Sequence, residues 1–190
     1  MGYLPSDNSI YVSFRGSLTI QNWITDLSIA KTQYKSFPEC NCQVHSGFYG
    51  ATMAVFPDVL AEVKRLKSQH SNYAVKVTGH SLGGALAQLT AMELVKNGIH
   101  ATMINFGQPR VGDDAYAAFS NTKLTQNRVV HNRDIVPHNP TMDWPLNFHH
   151  SFYEEFEDSK GNVRQCDNSG EDPTCSNSIN PLFYSIPDHL

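Results

Sequence analysis

The stretch Val77 to Leu86, Val-Thr-Gly-His-Ser-Leu-Gly-Gly-Ala-Leu, constrains this chain more than any other feature. Before it, Tyr73 to Thr78 is short, rich in β-formers and preceded by Ser71-Asn72, as expected of a buried strand. After it, Leu82, Ala85, Leu86, Leu89, Met92 and Leu94-Val95 recur at helical spacing until Asn97-Gly98, a helix-stop pair. Ser81 therefore stands on a strand-to-helix turn. Gly79-His80-Ser81-Leu82-Gly83 fits G-x-S-x-G, in which a tight, strained turn lifts the serine above the sheet. Side chains at the flanking glycines would collide with nearby backbone. The helix that follows aims free N–H groups and its positive dipole end at any anion forming there. The bland reading is a turn serine that caps the helix; strand before and helix after favour a nucleophile.

The rest of the chain alternates in the same way. Ile10 to Phe14 reads as a short strand. A helix is expected within Phe48 to Gln69, with Ala54, Val55, Val59, Leu60, Val63 and Leu66 on its inner side. Thr102 to Phe106 and Arg128 to His131 read as strands, with Asp113 to Phe119 helical between them. Strands separated by helices predict a mostly parallel α/β sheet with both faces covered. Further on, Phe148 to Glu157 and Val163 to Cys166 are expected to form an antiparallel pair.

Composition excludes several partners. The formal net charge of -4 and the lack of a basic cluster give no case for nucleic acid. No apolar run is long enough for a membrane span, and no signal-peptide pattern opens the chain. Cys166 and Cys175 bracket a short polar loop that a disulfide can close, which points to secretion. Cys40 and Cys42 stand one residue apart, a spacing that disfavours a mutual bond. The four cysteines do not have zinc-site spacing, so no metal is expected.

A serine nucleophile needs a base within hydrogen-bond reach and a carboxylate to orient that base. In α/β-hydrolases these follow in the order Ser, acid, His. Asp134 lies just past the Arg128 to His131 strand and suits the acid. His138, His149, His150 and His189 follow it. Position disfavours His138, which is too close to Asp134 to come from a separate loop, but spacing does not choose among the others.

A family resemblance supplies what spacing leaves open. Val12 to Ser17, Gln21 to Leu27, Val44 to Phe48, Val77 to Gly84, Asn105 to Gly112, Asn132 to Pro137 and Asp188-His189-Leu190 together resemble the fungal-type class 3 lipases. That family comprises secreted filamentous-fungal triacylglycerol lipases with protist and plant relatives. The resemblance implies an α/β-hydrolase fold, with Ser81 as nucleophile, Asp134 as acid and His189 as base. It implies oxyanion donors at the Leu82 N–H and at Ser17, a residue that on its own reads as an N-cap. It also implies a lid beginning at Leu18, whose Leu18, Ile20, Trp23 and Ile24 would cover the site in water and meet lipid at an interface. The alternative for that segment is a packed helix without gating. The implied activity is cofactor-free hydrolysis of triacylglycerol and related acyl esters at a lipid–water interface. Phospholipase and feruloyl esterase activities use the same scaffold, and a non-catalytic lipid-binding relative is the rival from another class. The family usually carries a helix and strands ahead of Phe14-Arg15-Gly16-Ser17, whereas here only Met1 to Ser9 precede that strand. The expectation is one domain over residues 1–190, N-terminally shortened and either minimal or clipped at both ends. A clipped end would leave His189 loosely held.

Overall fold

A computed structural model describes residues 1–17 and 29–189 of the chain. The predicted lid residues Leu18, Ile20, Trp23 and Ile24 lie outside the described residues. Two sheets are built from β1 (Gly2–Leu4), β2 (Ser9–Phe14), β3 (Lys31–Gln33), β4 (Gln43–His45), β5 (Ala74–His80), β6 (Ala101–Phe106), β7 (Gly112–Asp113), β8 (Thr125–His131), β9 (Phe148–His149), β10 (Glu154–Glu157) and β11 (Val163–Gln165). The larger sheet has the order β1-β2-β5-β6-β8-β10-β11. Its pairings from β2 to β10 are parallel, and β1 and β11 close the two edges antiparallel. The smaller sheet, β3-β4-β7-β9, is antiparallel throughout.

Among the described residues the α-helices are α1 (Ser46–Gln69), α2 (Leu82–Lys96) and α3 (Asp114–Lys123). Alternation along β2 and β5 sends Ile10, Val12, Val75 and Val77 to one face, where they join α1 and α2 in the main apolar core. The opposite face carries Ile104 at 53% and Phe106 at 45% exposure, so among the described residues the helices cover one side of the sheet. The inner stripe of α1 is Phe48, Thr52, Phe56, Val59, Val63 and Leu66, spaced by three and four. Ala54 and Val55, expected inside, fall on the outer face instead. The helix begins earlier than expected and its stripe is phased by the bulky Phe48 and Phe56, which leaves no inward position for residues 54 and 55.

Phe148 to Glu157 is not one strand. Its first residues join the small sheet as β9, and β10 pairs with both β8 and β11. Between them the chain is diverted by buried polar groups: the His150 N–H donates to Glu171, Ser151 Oγ accepts from Gln88, and the Ser151 carbonyl accepts from Arg128. Hydrogen bonds into a buried network outweigh continuation of the ladder there. Cys166 and Cys175 form a disulfide, as expected. Cys40 and Cys42 do as well, against expectation. Asn41 between them adopts φ 49, and this left-handed turn brings the two Cα atoms to 5.1 Å, within bonding range.

Candidate active site

Ser81 follows β5 directly and precedes α2, with φ 59 and ψ -133. That is a costly backbone conformation for a residue with a side chain, of order 1–3 kcal/mol. It persists because its surroundings over-determine it. A Cβ on Gly79 would sit 2.1 Å from the Gly83 carbonyl oxygen, and one on Gly83 would sit 2.3 Å from that of Phe14. The turn closes only with glycine at both places. From β6, the Asn105 side-chain amide donates to the Gly84 carbonyl and to Gln108 Oε1, tying the first turn of α2 to the next strand.

Asp134 lies just past β8 and is 1% exposed. Its Oδ1 accepts from the Val136 N–H at 2.8 Å, and its Oδ2 accepts from His189 Nδ1 at 2.8 Å. His189 arrives in the 3-10 turn Pro187–His189. The approach to that turn is pinned beside Asp134: Ser185 bridges to it, the Ser185 N–H donates to the Arg133 carbonyl, and the Ile135 N–H donates back to Ser185. His189 is 3% exposed, so its side chain is packed against the body of the protein and not loosely held. The turn passes over Gly107, whose φ is +53; a Cβ there would meet Asp134 Oδ2 and His189 Cε1 at 2.8 Å each.

The Nδ1–H bond to Asp134 leaves the lone pair of a neutral His189 on Nε2. Neither that atom nor Ser81 Oγ has a hydrogen-bond partner among the described residues. The sequence predicts an exposed serine, yet Ser81 is fully buried. The Phe14–Ser17 turn leans on it, close enough that a Cβ on Gly16 would come within 2.9 Å of Ser81 Cβ. Ser17 continues that turn, and Leu82 opens α2, whose first amides have no acceptor within the helix.

The other histidines considered for the base are engaged elsewhere. His138 stacks on Tyr184 with ring centroids 4.0 Å apart, and His150 Nε2 bonds the Pro137 carbonyl at 2.7 Å. His149 lies on β9 in the smaller sheet. Burial, reinforced by the Arg110 charge, lowers the His138 pKa to about 4; burial lowers that of His150 well below its ordinary value. The consequence is measurable. Both groups stay neutral when folded but protonate near pH 6.5 when unfolded, so stability is complete above that pH and is lost as pH falls toward 4. Urea unfolding at pH 7.5 and 4.5 should differ by about 2 kcal/mol or a little more from His138 alone. An unchanged midpoint would mean that these imidazoles are accessible to protons in the folded protein.

Two histidines that sequence reasoning passed over also reach the site. His80 Nε2 donates to the His189 carbonyl at 2.7 Å, and His131 Nδ1 donates to the Asp188 carbonyl at 2.9 Å. His80 occupies a position that G-x-S-x-G leaves free, and no spacing rule marks His131.

The family model described as Lipase (class 3) matches residues 11–144. The chain is 39% identical over 191 residues to a lipase of Rhizomucor miehei, covering 97% of this chain and 52% of that protein. Among solved structures, lipase II from Rhizopus niveus superimposes with a TM-score of 0.91 at 36% identity, over 98% of this chain and 71% of that one. A triacylglycerol lipase whose catalytic centre is formed by a serine protease triad gives a TM-score of 0.89 at 38% identity, over 97% of this chain and 71% of that one. The chain spans about half the length of the curated relatives it matches.

Proposed function

Because this chain belongs to the class 3 lipase family, with its α/β-hydrolase fold, we propose that it is a serine carboxylester hydrolase acting on triacylglycerol and related acyl esters. The observation that carries the reading is the His189 Nδ1–Asp134 contact of 2.8 Å, with Ser81 held on its strained turn and the His189 Nε2 lone pair uncommitted. Ser81 Oγ attacks the ester carbonyl carbon while His189 Nε2 takes its proton. The oxyanion meets the N–H groups of Leu82 and Ser17. Collapse expels the alcohol, which leaves with the proton from His189, and an acyl-Ser81 remains. Water then attacks the acyl carbon, giving its proton to His189, and the fatty acid is released as Ser81 recovers its hydrogen.

A fully buried Ser81 requires uncovering before it can be acylated. The same reading takes Leu18, Ile20, Trp23 and Ile24 as an apolar lid that responds to a lipid–water interface, as the family resemblance implies. Two other segments expose large apolar side chains, Met142 and Trp144 on one and Leu182 and Phe183 on the other. These segments flank a cavity of about 410 Å³ lined by Met142, Pro181 and Tyr184 and also by the polar Arg110, His138, Asp143 and Asn177. Among the described residues no helix is long and apolar enough to cross a membrane. The two disulfides fit an oxidising, extracellular setting.

The test is a comparison of substrates beside covalent labelling. Emulsified long-chain triglyceride should be hydrolysed with a rate that climbs once substrate exceeds its solubility, and a fluorophosphonate should add one equivalent at Ser81. Preference for soluble feruloyl esters or for phospholipid vesicles would redirect the substrate assignment. A folded protein that takes no label would be a lipid-binding relative without turnover.

A further inference from the structure

Two imidazoles that the proposed chemistry does not use stand at the last positions of β5 and β8, on either side of the strand end that carries Gly107. Each donates to a backbone carbonyl of the turn that bears His189: His80 to the carbonyl of His189 itself, His131 to that of Asp188. The Asp188 carboxylate is fixed as well, accepting from Asn132, from the Arg133 N–H and Nε, and from Ser185. A cavity of about 350 Å³ opens beside this arrangement, lined by His80, His131, Asp188 and His189 among others. The turn is therefore not wedged in place by packing from that side. On that side these hydrogen bonds hold it.

We propose that His80 is a positioning residue for His189, acting on the backbone of the proposed base and not on the substrate. The inference rests on the reading of Ser81 and His189 given above. His80 immediately precedes Ser81, so its bond ties the backbone of the base to the residue next to the nucleophile. The Ser81-to-His189 separation thereby gains a short, direct constraint beside the Asp134 and Ser185 contacts that hold the turn from its other side. The two rings also lie 4.4 Å apart at 33°, so His80 limits how far the His189 imidazole can swing toward β5. His131 holds the adjacent carbonyl from an exposed position, where competition with water makes its grip the weaker one. Burial lowers the His80 pKa, so it serves as a neutral Nε2–H donor.

The test compares His80→Leu, which keeps bulk without a donor, with His80→Gln, whose side-chain amide carries an N–H at the same bond count from Cα. Because a displacement of about 1 Å in a reacting group can cost on the order of 100-fold, His80→Leu should lower kcat on a soluble short-chain ester by about 10- to 100-fold with KM nearly constant. His80→Gln should recover most of that loss. Equal losses in the two variants, or a change confined to KM, would overturn the proposal. If His80→Leu fails to fold, His80→Asn replaces it, because its shorter amide keeps polarity but falls short of the carbonyl. A second readout needs no turnover: the His189 Nδ1 proton bonded to Asp134 should give a sharp low-field NMR resonance in the parent and in His80→Gln, broadened in His80→Leu. An inactive parent with that pattern would refute the hydrolase reading and leave the positioning role standing. The same resonance in all three proteins would refute the positioning role.

Discussion

Ser81→Ala should abolish ester hydrolysis, lowering kcat by on the order of 10⁴- to 10⁶-fold, while the protein remains folded and becomes no less stable. The activity term follows from the chemistry: without Oγ no acyl-enzyme forms, and what remains is transition-state stabilisation by the oxyanion donors acting on a poorly placed water. The stability term follows from the structure. Ser81 Oγ is buried without a hydrogen-bond partner among the described residues, and a buried unsatisfied hydroxyl costs about 1–3 kcal/mol. Alanine removes that group, keeps the Cβ, and leaves the φ 59 backbone as it was. A urea midpoint at or above that of the parent, with triglyceride and soluble-ester hydrolysis both gone, is the expected pair. Retention of more than a hundredth of the parent rate would remove Ser81 from the mechanism. A large fall in stability would mean that its hydroxyl has a bonding role in the fold.

Asp134→Asn should lower kcat by about 10⁴-fold with little change in KM. Two bonds fix how the new amide must sit. The Val136 N–H needs an acceptor, so the amide oxygen takes the Oδ1 place and the NH₂ is left facing His189 Nδ1. That nitrogen must then accept, and the ring proton moves to Nε2, the atom that has to receive the Ser81 proton. The imidazole keeps its position but presents the wrong tautomer. Folding should be nearly unaffected, since both contacts are replaced by hydrogen bonds of similar geometry. Asp134→Ala separates charge from geometry: it strips the Val136 N–H of its acceptor and should also destabilise the protein, by about 1–3 kcal/mol. Undiminished kcat in Asp134→Asn would show that this carboxylate does not set the tautomer of His189.

Much of the architecture is legible because it is local. The collision that requires Gly79 is local, with the Gly83 carbonyl four residues on, whereas Gly83 itself is required by the Phe14 carbonyl, a contact that only the pairing of distant strands creates. The alternation along β5 and the periodicity of α2 follow from the same short-range rules. The phase of α1 is ambiguous in sequence because Ala54 and Val55 are apolar enough to fit a stripe, and packing against the core gives that stripe to Phe48 and Phe56. The break between β9 and β10 was invisible for a related reason. It is imposed by Glu171, Gln88 and Arg128, residues far away in the chain that meet in one buried network.

By itself the sequence determined the strand–turn–helix around Ser81, the predominantly parallel order of strands and the position of Asp134 past a strand end, because each is written in contiguous residues. Residue spacing left more than one histidine open for the base, and resemblance singled out His189. Folding in three dimensions brings its imidazole to 2.8 Å from Asp134 and sets His80 and His131 against its backbone. It also decided that Ser81 is buried and not exposed. The physical reason is common to all of these: hydrogen bonds and close packing act over a few ångströms of space, and chain position constrains those distances only where the residues concerned are near neighbours.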